Sequence, residues 1–470
     1  MTQRAASGLF ILIASSVLVA VGVETAANPE AGFVVAVALL GAVALTGAPA
    51  GAWVLAALVA ALTFKGLTTL GVLPGVATYM DIPIAWGALL AGLLARNGSV
   101  SRRAATHLRW LGLLAAAVAL SWAFHPAEIL RPLLYLALLG EPFAIVCALM
   151  LDPPAPRLRQ TLVRTLVVLV GAQVVLSAWQ VYKFGLGSPD KVQGTLWGAG
   201  AGAHVMSAAV VLGCIWLLAA RRGRLNGWVL AAVAVLVAVP IVADAKQVLF
   251  ALPAAAIVAG WRSGRTGLAI NAAFVFSALT LLIAFDPVSK DAIYRLQETR
   301  QGHNGKEETA KIVWRHVDSS PSSLAFGVGP AETVSRAAFL TTPLQLQADS
   351  PLRALGLAPA AVAVEAQADA TQISGGRTSF NSGVSSMLGV FGDLGLFGAV
   401  AYAGLFLSVV RALWRTRTAL AITATAGWAM FAVLGFVYDW WEQPPFTVFL
   451  AVLTGLALTS ESDVSELRED

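Results

Sequence analysis

The chain has 470 residues, 58% of them hydrophobic and 12% charged, with a mean hydropathy of +0.76. Its apolar content lies far above the globular average of about 45–50% and its charge is about half the usual, which excludes an ordinary water-soluble domain. A formal charge of +5 would raise nucleic-acid binding in a soluble protein, but the arginines fall in short loops between apolar runs. They report membrane topology first, and no nucleic-acid partner is expected.

In chain order, apolar stretches fall near 8–23, 31–47, 51–64, 81–96, 109–124, 131–151, 163–182, 202–220, 227–243, 247–261, 266–285, 384–411, 417–438 and 444–460. Most run about 16–22 residues, long enough to cross roughly 30 Å of hydrocarbon. The pattern predicts an all-α polytopic membrane protein of about 14 transmembrane helices. Eleven helices fall within 1–285, one large loop over 286–383, and the last three spans with a tail over 384–470. The first stretch follows Arg4 as a signal peptide would, yet Ala26-Ala27-Asn28 is a poor cleavage site and another span follows at once, so it reads as a helix. Cys147 and Cys214 lie in apolar segments with no metal-ligand spacing.

Threading the spans with the amino terminus inside gathers Arg96, Arg102, Arg103, Arg109, Arg157, Arg159, Arg164, Arg221, Arg222, Arg224, Arg262, Arg265, Arg411, Arg415 and Arg417 in one compartment. The opposite short loops hold Lys65, Arg131, Lys183, Lys191 and Lys246. This bias predicts a multi-pass protein of a cytoplasmic membrane, both termini inside and 286–383 outside.

The outer loop is punctuated by Pro287, Gly302, Gly305, Pro321, Gly327 and Gly329, which predicts short helices joined by turns. Helices are expected over 288–300 and 306–317, the second with Glu307 and Glu308 at its start and Arg315 and His316 at its end, as the dipole favours. A third is expected after Gly329-Pro330, carrying Glu332 and Arg336 on one face, and 342–376 reads as a flexible flap. The loop's cations include Arg295, Arg300, Lys306, Lys311, Arg315 and Arg336. Lys311 and Arg315, four apart, would share a helix face and present two charges to one ligand, or else pair with Glu307 and Glu308 as a solvated face.

In "IVADAKQVLFALP" (241–253), Asp244 and Lys246 fall at the outer turn between two helices. They read either as a snorkelling pair or as a site where Lys246 holds an anion at a helix start. The Gly-rich 190–209 stretch carries Lys191, Trp197 and His204, the histidine reading first as a packed interface residue. Glu141 beside a Gly-Pro break and Asp393 in "VFGDLGLFG" are intramembrane carboxylates, candidates by default but best read as structural hydrogen-bonding groups. No nucleotide-binding or zinc motif is present, and no cofactor is expected.

"ADAKQVLFALPAAAIVAGW", "VQGTLWGAGAGAHV", "WRHVDSSPSSLAFGVGPAETVSRAAF" and "VSSMLGVFGDLGLFG" together resemble the O-antigen ligase and O-antigen polymerase superfamily of bacterial envelope glycosyltransferases, over roughly 190–410. Leu388, Asp393, Gly395 and Gly398 match the family's pattern in the last stretch, while Val384 and Ser385 stand where ligases carry histidine and asparagine. The departure favours a polymerase over a ligase. The resemblance implies a polyprenyl-diphosphate-linked glycan as donor, another glycan as acceptor, the lipid bilayer as setting and a chain-length regulator as a further partner. Lys246, Arg315 and Arg336, with Lys311, Arg295 and Arg300, would then hold the diphosphate, and Asp244, Asp318, Glu332 and His316 are the candidates for general base. A lipid-linked oligosaccharide flippase is the competing reading, but transport does not require one large loop after many short ones. An envelope scaffold that binds such lipids without a base is a third.

Overall fold

The structure, a computed structural model, describes residues 47–73, 75–95, 101–185, 191–197, 202–221, 226–243, 245–264, 305–341, 360–374 and 385–460. The expected spans near 8–23 and 266–285, nearly all of 31–47, the expected helix at 288–300, and Asp244, Arg295, Arg300 and Val384 lie outside them.

Among the described residues the chain is all helix, with no strand. The bundle helices are α1 (Ala50–Thr69), α2 (Asp81–Leu94), α3 (Arg102–Phe124), α4 (Leu130–Leu151), α5 (Pro156–Phe184), α6 (Gly202–Ala220), α7 (Gly227–Val242) and α8 (Lys246–Arg262). Short helices follow: α9 (Gly305–Val317), α10 (Pro321–Phe326), α11 (Arg336–Thr341) and α12 (Ala361–Ser374). The bundle closes with α13 (Ser386–Arg415), α14 (Ala419–Val437) and α15 (Pro444–Thr459). Eight of the described helical segments (α1, Ala77–Leu94 with α2 as its greater part, α3–α6, α13 and α14) are long and apolar enough to cross a membrane, and α7 and α15 are shorter apolar helices. Their ends fall within a few residues of the hydropathy boundaries, save where polar turns extend them, as at the amino ends of α3 and α5. Side-chain caps fix several starts: Ser101 on α3, Asn226 on α7, Ser385 on α13 and Thr418 on α14 each accept an amide of the first turn.

α4 and α15 form the centre, with Phe143, Tyr402, Trp428, Phe431 and Trp441 stacked or edge-on between them and their neighbours. Small residues seat large ones: Gly455 faces Leu149 and Gly140 faces Trp86, which lets these helices approach closely.

The two ends of the bundle differ. At one, arginines begin α3 and α5 and end α8 and α13. There the Ala50 amide donates to Asp152 (2.8 Å), Arg159 donates to the Leu456 carbonyl (3.2 Å), and Arg262 donates to carbonyls of Leu413, Trp414 and Thr416. At the other end, α9–α12 lie over the bundle. Ile312, Val313 and Val317 of α9, Val334, Phe339, and Val362 and Ala366 of α12 form their own apolar cluster.

Two expectations for this outer segment are corrected. No helix starts after Gly329-Pro330: residues 330–335 are turn and bend, Ala331 is left-handed (φ 61), and α11 begins only at Arg336. The carbonyls of Ala331, Glu332 and Val334, which a helix would turn to its own amides, are taken by Arg131, the Ala363 amide and the Ser385 amide instead. The expected flap is in part α12, since its alanine-rich run "AVAVEAQADA" is a good helix former with an apolar stripe for α9. Residues 342–359 lie outside the described set.

Candidate active site at the covered end of the bundle

The site begins with a break in α13. Gly395 has φ 63, a left-handed value that only glycine adopts cheaply, and the helix kinks there. A kink removes the partners of carbonyls one turn earlier. The carbonyl of Gly392 accepts the Val328 amide (2.9 Å) from the outer segment, and that of Asp393 accepts the Ser121 hydroxyl (2.6 Å) from α3. Gly327, also left-handed (φ 80), lies against this break so closely that a side chain on either glycine would strike the other backbone. The D-x-G-x-x-G stretch is therefore a docking joint between a bundle helix and the outer segment.

Asp393 completes the joint. Fully buried, it accepts at one oxygen the amides of Glu332 (3.2 Å) and Thr333 (2.7 Å) and the Thr333 hydroxyl (2.7 Å). Its expected role as a hydrogen-bonding carboxylate is the one its geometry displays.

From this joint, residues 331–336 run as a strap across the bundle end. Arg131, which starts α4 and is 1% exposed, donates to the Ala331 carbonyl (3.0 Å) and pairs with Glu332 (3.0 Å) and Glu128 (3.1 Å). Glu332 keeps 24% of its side chain exposed and sits beside Gly329 and His125. Burial pushes its carboxyl up to about 7 against the pull of Arg131, with Asp393 and Glu128 adding to the rise. The strap ends at Arg336, which pairs with the buried Asp439 (3.0 Å), while Gln443 donates to the other oxygen of Asp439 (2.7 Å). The Nε donor of Arg336 is buried without a hydrogen-bond partner among the described residues. Glu442 accepts the Ala337 amide (3.1 Å), and burial, with the Asp439 charge close by, pushes it up to about 8. Lys306 at the start of α9 is drawn down to about 7 by burial, opposed by Asp439.

Of the residues expected to hold a diphosphate, Arg336 enters this cluster. Lys246 opens α8, half-buried, and the next residue, Gln247, accepts the Trp440 indole N–H (2.6 Å), which places the α8 start beside the 438–443 segment. Arg315 does not join: 69% exposed, it pairs with Glu365 of α12 (3.3 Å). Lys311 does not either, as Glu307 (3.0 Å) and Glu308 (2.7 Å) occupy it, the solvated-face alternative. Among the expected bases, His316 also bonds Glu365 (2.9 Å), Asp318 is exposed, and Glu332 reaches the cluster. The expected shared face of Glu332 and Arg336 is corrected: without a helix between them they turn to Arg131 and Asp439.

Sequence reasoning missed Asp439 and Glu442 altogether and read Arg131 only as a topology marker. "YDWWEQPP" (438–445), two carboxylates and three aromatic residues between apolar spans, was the available signal. Neither a protein-family model nor a curated protein matches this chain, so its function is argued from the geometry of the site.

Proposed function

We propose that the chain is a membrane glycosyltransferase of the polysaccharide-polymerase type, moving a glycan from a polyprenyl-diphosphate donor to a sugar hydroxyl. The observation that carries this reading is Glu332, partly open, poised near neutrality and held by Arg131, while Arg336 at the end of the same strap pairs with Asp439. A general base works best when its pKa lies near the working pH. Glu332 would take the proton of the acceptor hydroxyl as its oxygen attacks the anomeric carbon. The bond from that carbon to the phosphate oxygen breaks, and its electron pair leaves on the diphosphate. Cations stabilise that charge: Arg336 has an open donor, and Lys246 begins an adjacent helix with its charge at the positive dipole end. The outward orientation of this end, both termini inside, and surface polysaccharide as product follow from the arginine bias and the family resemblance.

A second reading, transport of the same lipid, is favoured by Asp81 and Glu141, carboxylates buried in α2 and α4, neither with a side-chain oxygen hydrogen-bonded among the described residues. Reconstitution separates the two. Purified protein given a polyprenyl-diphosphate glycan, without added metal or nucleotide, lengthens the glycan if it is a polymerase. Movement of intact lipid across the bilayer with no lengthening would sink the proposal.

A further inference from the structure

At the arginine end, a groove of about 670 Å³ lies between α3 and α13. The helices touch where Gly404 seats the Trp110 ring and where His107 Nδ1 meets the Ser408 hydroxyl (2.8 Å). Beyond that contact the groove is two-sided. Val400, Ala403 and Leu407 line its apolar length, with Val400 and Leu407 about three-fifths exposed. Arg411 and Arg415 continue the same stripe at four-residue spacing, and Arg103 faces them from α3. Among the described residues no carboxylate lines it.

These dimensions match an amphiphile. Val400 and Arg411 are eleven residues apart, about 16 Å along the helix, against about 15 Å for the hydrocarbon half of a bilayer. The arginines therefore stand at headgroup depth when Val400 stands near the midplane. A soluble anion would leave the apolar length bare, and a neutral lipid would leave Arg411 and Arg415 without a counter-charge among the described residues. We propose that this groove binds one anionic phospholipid, its phosphate on Arg411 and Arg415, and one acyl chain along Val400, Ala403 and Leu407. The site is remote from the Glu332 cluster and independent of the reading given to it.

Native mass spectrometry of the full chain released from detergent, titrated with phosphatidylglycerol or phosphatidylcholine, tests this. Wild type should retain one phosphatidylglycerol in preference to phosphatidylcholine by on the order of tenfold, as two basic contacts near a headgroup provide. An Arg411→Gln/Arg415→Gln double variant should fall to near parity. Leu407→Trp, which fills the apolar length and keeps the arginines, should also lose the retained lipid. Melting in phosphatidylcholine, unchanged in both variants, shows that they are folded. Equal retention of the two lipids by wild type, an undiminished preference in both variants, or displacement by glycerol 3-phosphate as complete as by phosphatidylglycerol would each overturn the proposal.

Discussion

The two ends of this bundle use the same side chain in opposite ways. At the covered end Arg131 and Arg336 are drawn inside and matched to carboxylates, Glu332 and Asp439. At the other end Arg411 and Arg415 point to the surroundings, and Arg262 is spent on helix carbonyls. A guanidinium taken from water needs a partner and good geometry, whereas one at an interface needs neither. The contrast teaches that counting arginines finds topology, while counting their carboxylates finds the site.

The largest expected effect falls on the proposed base. Glu332→Gln should lower turnover by about 10²–10⁴-fold, the range for a lost general base, with little change in thermal stability. Its pH profile carries the sign: wild-type activity should rise with pH through about 7 as the carboxyl loses its proton, and the variant's residual activity should lack that limb. A variant with normal turnover would remove chemistry from the covered end. Next, Arg131→Ala should destabilise by about 3–5 kcal/mol because it strands Glu332 and the Ala331 carbonyl, while Arg411→Ala stays within about 0.5 kcal/mol. Equal costs in denaturation would erase the contrast between the two ends.

Gly395→Ala should cost about 3 kcal/mol, combining a left-handed residue with a clash against the outer segment, and should expose residues near Gly327 to protease. Glu442 sharpens the comparison through pH. Its folded value of about 8 lies above the ordinary 4.5, so the folded state keeps a proton that the unfolded state releases. That contribution is complete below about 4.5 and is lost as pH climbs to 8. Melting temperatures of Glu442→Gln should therefore be flatter than wild type across that window. The smallest effect belongs to Arg315→Ala: its pair with Glu365 is exposed, worth about 0–1 kcal/mol, and turnover should change less than about twofold.

The bundle was legible because spans carry a strong one-dimensional signal: every described span coincides with an apolar run. Arg336 and Glu332 were legible as charged residues in the outer segment, and Asp393 as a hydrogen-bonding carboxylate. Their partners were not. Asp439 lies 103 residues from Arg336, and Arg131 lies 201 from Glu332, and no local period links such pairs. Arg315 and Lys311 were overvalued because helical spacing shows which side chains share a face but not what already occupies them. The absent third helix traces to the left-handed Ala331 and to distant donors, Arg131, Ala363 and Ser385, that take the carbonyls a helix would use.

The Gly395 break also sets an order of assembly. A kinked span whose freed carbonyls met only lipid would carry unsatisfied polar groups at a cost of several kcal/mol. Here their donors, Val328 and Ser121, are both made earlier in the chain. α13 and the spans after it, roughly the last fifth of the chain, therefore depend on segments made before them to satisfy the break, which makes the joint at Gly327 a coupling between outer segment and bundle as well as a hinge point of architecture.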